Sequence, residues 1–160
     1  MGGSVITRGT SQASTSGTSI DFTGIPSWVK RITVMFNGVS TNGTSVVQIQ
    51  LGTSSGIENT GYLGSSSTIQ TTVTTGGNST GFNIMNGNAD FITFYGQMVI
   101  SLLNGNTYVS SHVVGNSNTT PTTYLGGGTK ALAGALTQLR VTTANGTDTF
   151  DAGSINILYE

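Results

Sequence analysis

The strongest constraint on the fold is the alternation of apolar and polar residues within Ile25–Leu51. Ile32, Val34 and Phe36 occupy every second position, which is typical of a strand that packs one face on a core. Two Asn-Gly dipeptides, which favour tight turns, interrupt the pattern before it resumes with alternating Gln and apolar residues. The segment therefore predicts two strands joined by a turn.

Two residues near the start of this segment refine the prediction. Pro26 has no amide hydrogen to donate to a neighbouring strand, so we expect it where the chain enters the sheet. Trp28 has the same parity as Ile32, and this spacing predicts that its ring packs in the core.

The densest apolar run is Phe91–Leu103, in which residues of both parities are apolar. A strand with two apolar faces is either central in a sandwich or covered by a neighbouring subunit. Asn104-Gly105 follows directly, and the sequence LLNGNTYV (Leu102–Val109) is the clearest hairpin signal in the chain.

The remaining segments are short and are separated by Gly and Asn. Ser67–Thr75 predicts one Thr-rich strand on an exposed sheet face. The run Gly126–Gly128 is expected outside any regular element, and Lys130–Leu136 is expected to be a loop or a short strand. With roughly eight to ten strands and no convincing helix, the chain is predicted to be an all-β, antiparallel β-sandwich that is jelly-roll-like.

The same patterns predict the domain boundaries and the core. Residues 1–19 are almost entirely Gly, Ser and Thr, so we expect either an edge strand or a flexible linker from something upstream. Residues 20–160 are expected to form one β-sandwich domain. The residues predicted to be buried are Ile32, Val34, Phe36, Ile49, Leu51, Ile155 and Ile157.

Charged residues are unusually rare in this chain. They make up 7% of it, against roughly 25% in an average globular protein, and the net charge is -1. Nucleic acids and anionic membranes are bound through clustered Lys and Arg, so neither is an expected partner. The chain has no Cys and no apolar run long enough to insert into a membrane. We expect a surface that interacts through hydroxyl and amide groups, without a cofactor.

No arrangement of residues indicates catalysis or a metal site. Gly52–Gly56 matches the G-x-S-x-G pattern of a nucleophile elbow, but no helix is predicted after it. His112 is the only possible imidazole base and lies in the middle of a predicted strand. Asp90, Asp148 and Asp151 are too few and too scattered to indicate a glycosidase pair. We therefore predict neither an enzyme nor a metal-binding protein.

Four ring-bearing residues are candidates for ligand binding. Tyr62, Tyr108 and Tyr124 lie in or beside polar loops, where an aromatic face with amide and hydroxyl neighbours suits stacking against a sugar ring. His112 lies on the same strand parity as Tyr108 and is the fourth candidate. The alternative for each of them is a place in the core or at a subunit interface.

Three segments carry a resemblance to a known family. They are IDFTGIPSWVKRITVMFNGVSTNGTS (20–45), QIQLGTSSGIENTGY (48–62) and RVTTANGTDTFDAGSINILYE (140–160). Together they resemble the C-terminal receptor-binding domain of bacteriophage tail fibres and related virion appendage proteins. The resemblance implies a β-sandwich tip, usually a homotrimer, that follows an upstream fibre stem in the virion and contacts the host cell. It identifies no sugar-binding residues.

Three functions are compatible with these observations. The first is a non-enzymatic tail fibre tip that attaches the virion to a bacterial surface polysaccharide or an outer-membrane receptor. The second is a purely structural virion trimerisation or decoration domain. The third is a depolymerase, which would need an acid pair within about 10 Å in a groove. Binding of the isolated domain to host cells would separate the first from the second.

Overall fold

The structure, a computed structural model, describes residues 5–118 and 120–160. Within these two ranges every regular element is a β-strand, and no helix could cross a membrane. The strands form two antiparallel sheets that pack as the layers of a sandwich. The prediction of an all-β antiparallel sandwich is therefore confirmed.

The two sheets differ in size. The strands, in chain order, are β1 (Thr7–Arg8), β2 (Gln12–Ala13), β3 (Ser19–Phe22), β4 (Arg31–Thr41), β5 (Val47–Thr53), β6 (Gly56–Ile57), β7 (Tyr62–Ile69), β8 (Val73–Gly77), β9 (Phe82–Asn83), β10 (Phe94–Asn104), β11 (Thr107–Asn116), β12 (Thr122–Ala131), β13 (Gln138–Thr143) and β14 (Phe150–Tyr159). The larger sheet has the order β1-β14-β4-β10-β11-β12-β7-β8, with β2 also paired to β14. The smaller sheet has the order β3-β13-β5-β6, with β9 paired to β5. Strands β10, β11 and β12 form a meander within the larger sheet.

One apolar core fills the space between the two sheets. The residues that the alternating segments predict to be buried, from Ile32 on β4 to Ile157 on β14, are all buried. Phe36 packs against Phe94 with ring centroids 5.4 Å apart, so β4 and β10 contribute adjacent rings to this core. The inward parity of β4, β5 and β14 was thus predicted correctly.

The predicted hairpin at LLNGNTYV is confirmed as β10 and β11. Leu102 lies opposite Tyr108, and Asn104 lies opposite Thr107. Gly105 has a φ of +51°, a left-handed conformation that Gly adopts without the steric cost of a Cβ atom. The turn dipeptide therefore marks the reversal between these two strands, and the register shifts once beside it, between Leu102 and Asn104.

Trp28 lies outside the core, which corrects the prediction from its parity. The strand begins only at Arg31, and before it the amide of Val29 donates a 3.0 Å hydrogen bond to the carbonyl of Pro26. This turn changes the parity, so Val29 is buried and Trp28 is 53% exposed. The Trp28 ring packs beside Tyr159 with centroids 5.9 Å apart.

The glycine run 126–128 lies inside β12, although the sequence predicted an irregular segment there. A Cβ on Gly126 would lie 2.5 Å from the Ser65 carbonyl oxygen and 2.8 Å from Cε1 of His112. A Cβ on Gly128 would lie 2.6 Å from the Leu63 carbonyl oxygen. The glycines are therefore needed because neighbouring chain segments occupy the space of their side chains, not because the backbone turns.

Residues 67–75 form a hairpin of β7 and β8 rather than the single strand that the sequence predicted. The chain reverses at 70–72, where the Gln70 amide donates to the Thr72 carbonyl. Ile69 and Val73 are opposite each other, on either side of the turn, so their even spacing imitates one continuous strand.

The N-terminal segment adds an edge to the larger sheet. Strands β1 and β2 pair with β14, and the buried Ser14 hydroxyl donates to the Ala152 carbonyl at 2.8 Å. Of the two alternatives for residues 1–19, the described part forms edge strands. Residues 1–4 lie outside the described residues.

Candidate functional site

The four predicted ligand-binding residues do not form a surface site. Tyr62, Tyr108, His112 and Tyr124 are between 1% and 6% exposed, because each lies on the inward face of the larger sheet. None of their rings is available to stack on a sugar. The polar loops beside these residues were visible in the sequence, but the inward parity of their strands decides their environment.

Tyr62 has a structural role between the sheets. Its hydroxyl donates to the Glu58 carbonyl at 2.9 Å and accepts from the Leu51 amide at 2.7 Å. Its ring meets Phe82 edge-on with centroids 5.0 Å apart. Burial raises the pKa of this hydroxyl, as it raises the pKa of Tyr108, so both remain neutral donors and acceptors.

His112 is buried in a neutral form. Its Nε2 lies 2.8 Å from the Ile84 carbonyl oxygen, which only accepts, so Nε2 carries the proton. Burial lowers the pKa of the imidazole. Within the described residues Nδ1 has no partner, and the same is true of the hydroxyls of Ser66 and Ser110.

The motifs considered for catalysis are also structural. Gly52–Gly56 forms the turn between β5 and β6, where the Ser55 amide donates to Thr53 Oγ1 and no helix follows. Asp148 accepts hydrogen bonds from the Ser45 amide at 2.9 Å and from Asn145 Nδ2 at 2.7 Å, and so stabilises a turn. Among residues 5–118 and 120–160, no group of three or more His, Asp or Glu side chains could hold a metal ion.

A polar groove lies at the end of the larger sheet where β10 and β12 begin and β7 and β11 end. Its volume is about 310 Å³. A neighbouring cavity of about 400 Å³ shares Gln70, Asn116, Thr120 and Thr122 with it. The amide side chains that line the groove are Gln70, Asn86, Asn88, Asn116 and Asn118. Among the described residues, no charged side chain lines either cavity.

Phe91 supplies an exposed aromatic ring to this groove. It is 65% exposed and lies in the loop that leads into β10. Of the four predicted ligand-binding residues, only Tyr124 reaches the groove, and it does so through its hydroxyl, which accepts from Asn116 Nδ2 at 2.9 Å.

Hydrogen bonds to the backbone fix two of the groove amides. Asn88 Nδ2 donates to the Ser45 carbonyl and to Thr41 Oγ1, both at 3.0 Å. Asn118 Oδ1 accepts from the Thr93 amide at 2.9 Å, while its Nδ2 donates to the Phe91 carbonyl. Since backbone groups have defined donor and acceptor roles, these contacts determine which end of each amide is the oxygen.

A second network fixes the side of the groove formed by β7, β11 and β12. Gln70 Nε2 donates to Thr122 Oγ1 at 2.9 Å, and that hydroxyl donates to the Thr120 carbonyl at 3.0 Å. Asn116 Oδ1 accepts from the Thr122 amide at 3.2 Å. The groove is therefore preorganised by its own hydrogen bonds.

The sequence held a usable signal for this groove that was not recognised. Counting outward from the Asn104-Gly105 turn places Phe94 within one residue of Asn116, its observed partner, and the difference comes from the register shift between Leu102 and Asn104. The Asn-rich segments before β10 and after β11 must then lie side by side, with Phe91 next to them. The contribution of Gln70 could not be found in this way, because it depends on the β7–β8 reversal.

No family model matches this chain, and neither a curated protein nor a solved structure matches it.

Proposed function

We propose that this chain is a non-enzymatic receptor-binding domain of a bacteriophage tail fibre, which attaches the virion to a glycan on the bacterial surface. The observation that carries the proposal is the groove at the end of the sandwich, which combines fixed amides with the exposed ring of Phe91. The resemblance of the sequence to tail fibre tips supplies the biological setting.

The chemistry of the groove suits a sugar. Amide side chains offer both donors and acceptors to hydroxyl groups, and Phe91 offers an apolar face to the C–H side of a pyranose. A volume of about 310 Å³ is at the small end of known ligand pockets, so the groove accommodates a short segment of a polysaccharide.

Attachment by such a groove depends on several copies. A shallow neutral site typically binds with a dissociation constant near 1 mM, about -4 kcal/mol. Linking sites on one particle raises the effective affinity by about 10²–10⁴ without any new contact. We therefore propose a homotrimeric tip, in line with the expectation from the resemblance.

The outer face of the larger sheet is the surface on which we propose that a second copy packs. Tyr95, Val113 and Leu125 are exposed at its centre, and Leu63 and Val73 extend the apolar surface to β8. Charged residues are depleted from the centres of stable interfaces, and the outward positions of β10, β11 and β12 carry none. Five strands over about eight residues cover roughly 600 Å², which approaches the about 800 Å² per partner of a stable complex.

The burial of His112, the only histidine, supports a binding function over catalysis by a serine triad. A purely structural virion domain remains the competing proposal, because the outer sheet face supports assembly whether or not the groove binds a receptor. Cell binding separates the two.

The test is to measure retention of the fluorescently labelled domain on a panel of bacterial strains. On a strain that retains the domain, Phe91→Ala is expected to lower retention at least tenfold, because the groove loses its stacking surface. Trp28→Ala is the matched control, since it removes another aromatic ring that is more than half exposed, at the opposite end of the larger sheet. If no strain retains the domain, the structural function is favoured. If Trp28→Ala abolishes retention on cells and Phe91→Ala does not, the groove is not the binding site.

A further inference from the structure

The charged residues of the larger sheet and its loops are divided between the two ends of that sheet. Asp90 lies in the loop before β10, and Asp148 and Asp151 flank the first residue of β14, all at the end that holds the groove. No Lys or Arg lies at this end within the described residues. The groove end therefore carries three carboxylates and no cation.

The positive charges lie at the opposite end. Lys30 and Arg31 are at the start of β4, and Lys130 is near the end of β12. Arg31 and Lys130 form ion pairs with Glu160 and Glu58. Two cations remain, and both lie away from the groove. Arg8 is opposite Leu158 where β1 pairs with β14. Arg140 forms an ion pair with Asp21.

Two acceptor oxygens of the groove are free to contact a ligand. Asn88 donates both hydrogens of its Nδ2 to Thr41 and Ser45, so only its carbonyl oxygen is left for a ligand. Gln70 Oε1 also accepts no hydrogen bond from the described residues, while Nε2 is held by Thr122. Both free oxygens require a ligand that donates hydrogen bonds.

We propose that this groove accepts glycans without acidic groups, with the highest affinity for those that carry free amines, and that it rejects uronic, phosphorylated and sulfated sugars. This specificity rests on the proposed function of the groove as a glycan site. A carboxylate on the ligand would face carbonyl oxygens and the field of three aspartates, with no Lys or Arg to pair with. An ammonium group would meet Asp90 beside Phe91 and the acceptors of Gln70 and Asn88.

Asp90 allows the electrostatic contribution to be measured directly. It is exposed and directly precedes Phe91, which lines the groove, and it accepts no hydrogen bond from the described residues. One unit charge at about 8 Å in water changes the interaction by about 0.5 kcal/mol, which is two- to threefold in affinity. Asp90→Asn should therefore weaken the preference for amine-bearing over acidic sugars about fivefold, because the lost charge acts with opposite sign on the two ligands.

The experiment compares binding of the full chain to three immobilised polymers that differ in charge: chitosan, a neutral glucan and polygalacturonate. We expect the order chitosan, glucan, polygalacturonate, with at least tenfold between the first and the last at low salt. The difference should shrink in 0.5 M salt, because exposed charges are screened. Binding to the neutral glucan should not depend on salt.

Two variants with the same change in net charge decide whether the groove end causes the discrimination between chitosan and polygalacturonate. Asp90→Asn removes one negative charge at the groove end, and Ala135→Lys adds one positive charge on the exposed loop after β12, at the other end. Only Asp90→Asn should reduce the discrimination. Equal effects of the two variants, or stronger binding of polygalacturonate, would overturn the specificity while leaving a glycan-binding function intact. Binding of none of the polymers, together with no retention on cells, would overturn the glycan-binding function itself.

Discussion

Phe36 shows at the scale of single residues how strongly burial decides stability in this fold. Its ring is buried between the sheets and packs on Phe94. We expect Phe36→Ala to lower the free energy of unfolding by about 3–5 kcal/mol, through lost apolar burial and the cavity left behind. Phe91→Ala is the matched control, because the same atoms are removed from an exposed ring, and it should cost less than about 0.5 kcal/mol. Urea unfolding of both variants measures the difference, and equal midpoints would place Phe36 outside the core.

His112 gives this core a dependence on pH. Burial lowers the pKa of the imidazole in the folded state, whereas in the unfolded chain it is near 6.5. Below about pH 6.5 the unfolded chain takes up a proton that the folded state resists, so stability is complete above that pH and falls as the pH drops towards the folded pKa. One proton gives a slope of at most about 1.4 kcal/mol per pH unit.

The measurement is chemical unfolding of the wild type and of His112→Gln between pH 5.5 and 7.5. The Gln side chain can still donate to the Ile84 carbonyl but does not titrate. We expect the wild type alone to lose stability over the lower half of this range. A wild type that gains stability towards pH 5.5 would contradict the burial of a neutral imidazole.

The sequence identified individual core residues well where a strand is long and regular. Ile32, Val34 and Phe36 follow one parity without interruption, and their burial was predicted. The prediction failed for Trp28, because a turn at Pro26–Val29 shifts the parity by one residue. Tyr108 and Tyr124 match the alternative of a place in the core, because their strand positions point inward although the neighbouring loops are polar.

At the scale of whole elements, β12 depends on its glycines. We expect Gly126→Ala to destabilise the domain by about 1–3 kcal/mol, because the added methyl group would collide with the Ser65 carbonyl and the His112 ring. Gly115→Ala is the control: it lies in the neighbouring strand β11, and the nearest atom to its added Cβ is 3.9 Å away. Thermal unfolding of the two variants provides the comparison, and equal melting temperatures would show that β12 can shift to accommodate a side chain.

Elements were predictable from the sequence when a turn dipeptide marked their ends. Asn104-Gly105 fixed the β10–β11 hairpin, and its register also places the two Asn-rich segments of the groove together. No such dipeptide marks the reversal at 70–72, so β7 and β8 were predicted as one strand. The run 126–128 was misread because composition alone does not distinguish a glycine that turns from a glycine that makes room for a neighbour.

At the scale of the whole molecule, the main open surface is the outer face of the larger sheet. Along β10 the inward residues Phe94, Met98 and Ile100 are buried, while Tyr95 remains exposed on the other face. The double apolar parity of Phe91–Leu103 therefore has one face in the core and one face without a partner in the single chain. This is the arrangement for which the sequence analysis offered a neighbouring subunit as the explanation.

Val113→Glu tests the proposed packing of a second copy on this face. Val113 lies at its centre, between Gln97 of β10 and Leu125 of β12. A carboxylate buried there in an interface would lack a cationic partner, so we expect the trimer to dissociate to folded monomers at micromolar concentration. Ala135→Glu is the control, because it adds the same charge on an exposed loop outside this face.

Sedimentation velocity measures the assembly state, and circular dichroism confirms that both variants keep the β-sandwich. A wild-type monomer, or a trimer that survives Val113→Glu, would remove this face from the assembly. Retention of Val113→Glu on cells would then separate assembly from recognition. The groove lies at the end of the sheet, so it remains intact in the monomer, and each monomer should bind with the weak affinity of a single site. Only the gain in affinity from several linked copies should be lost.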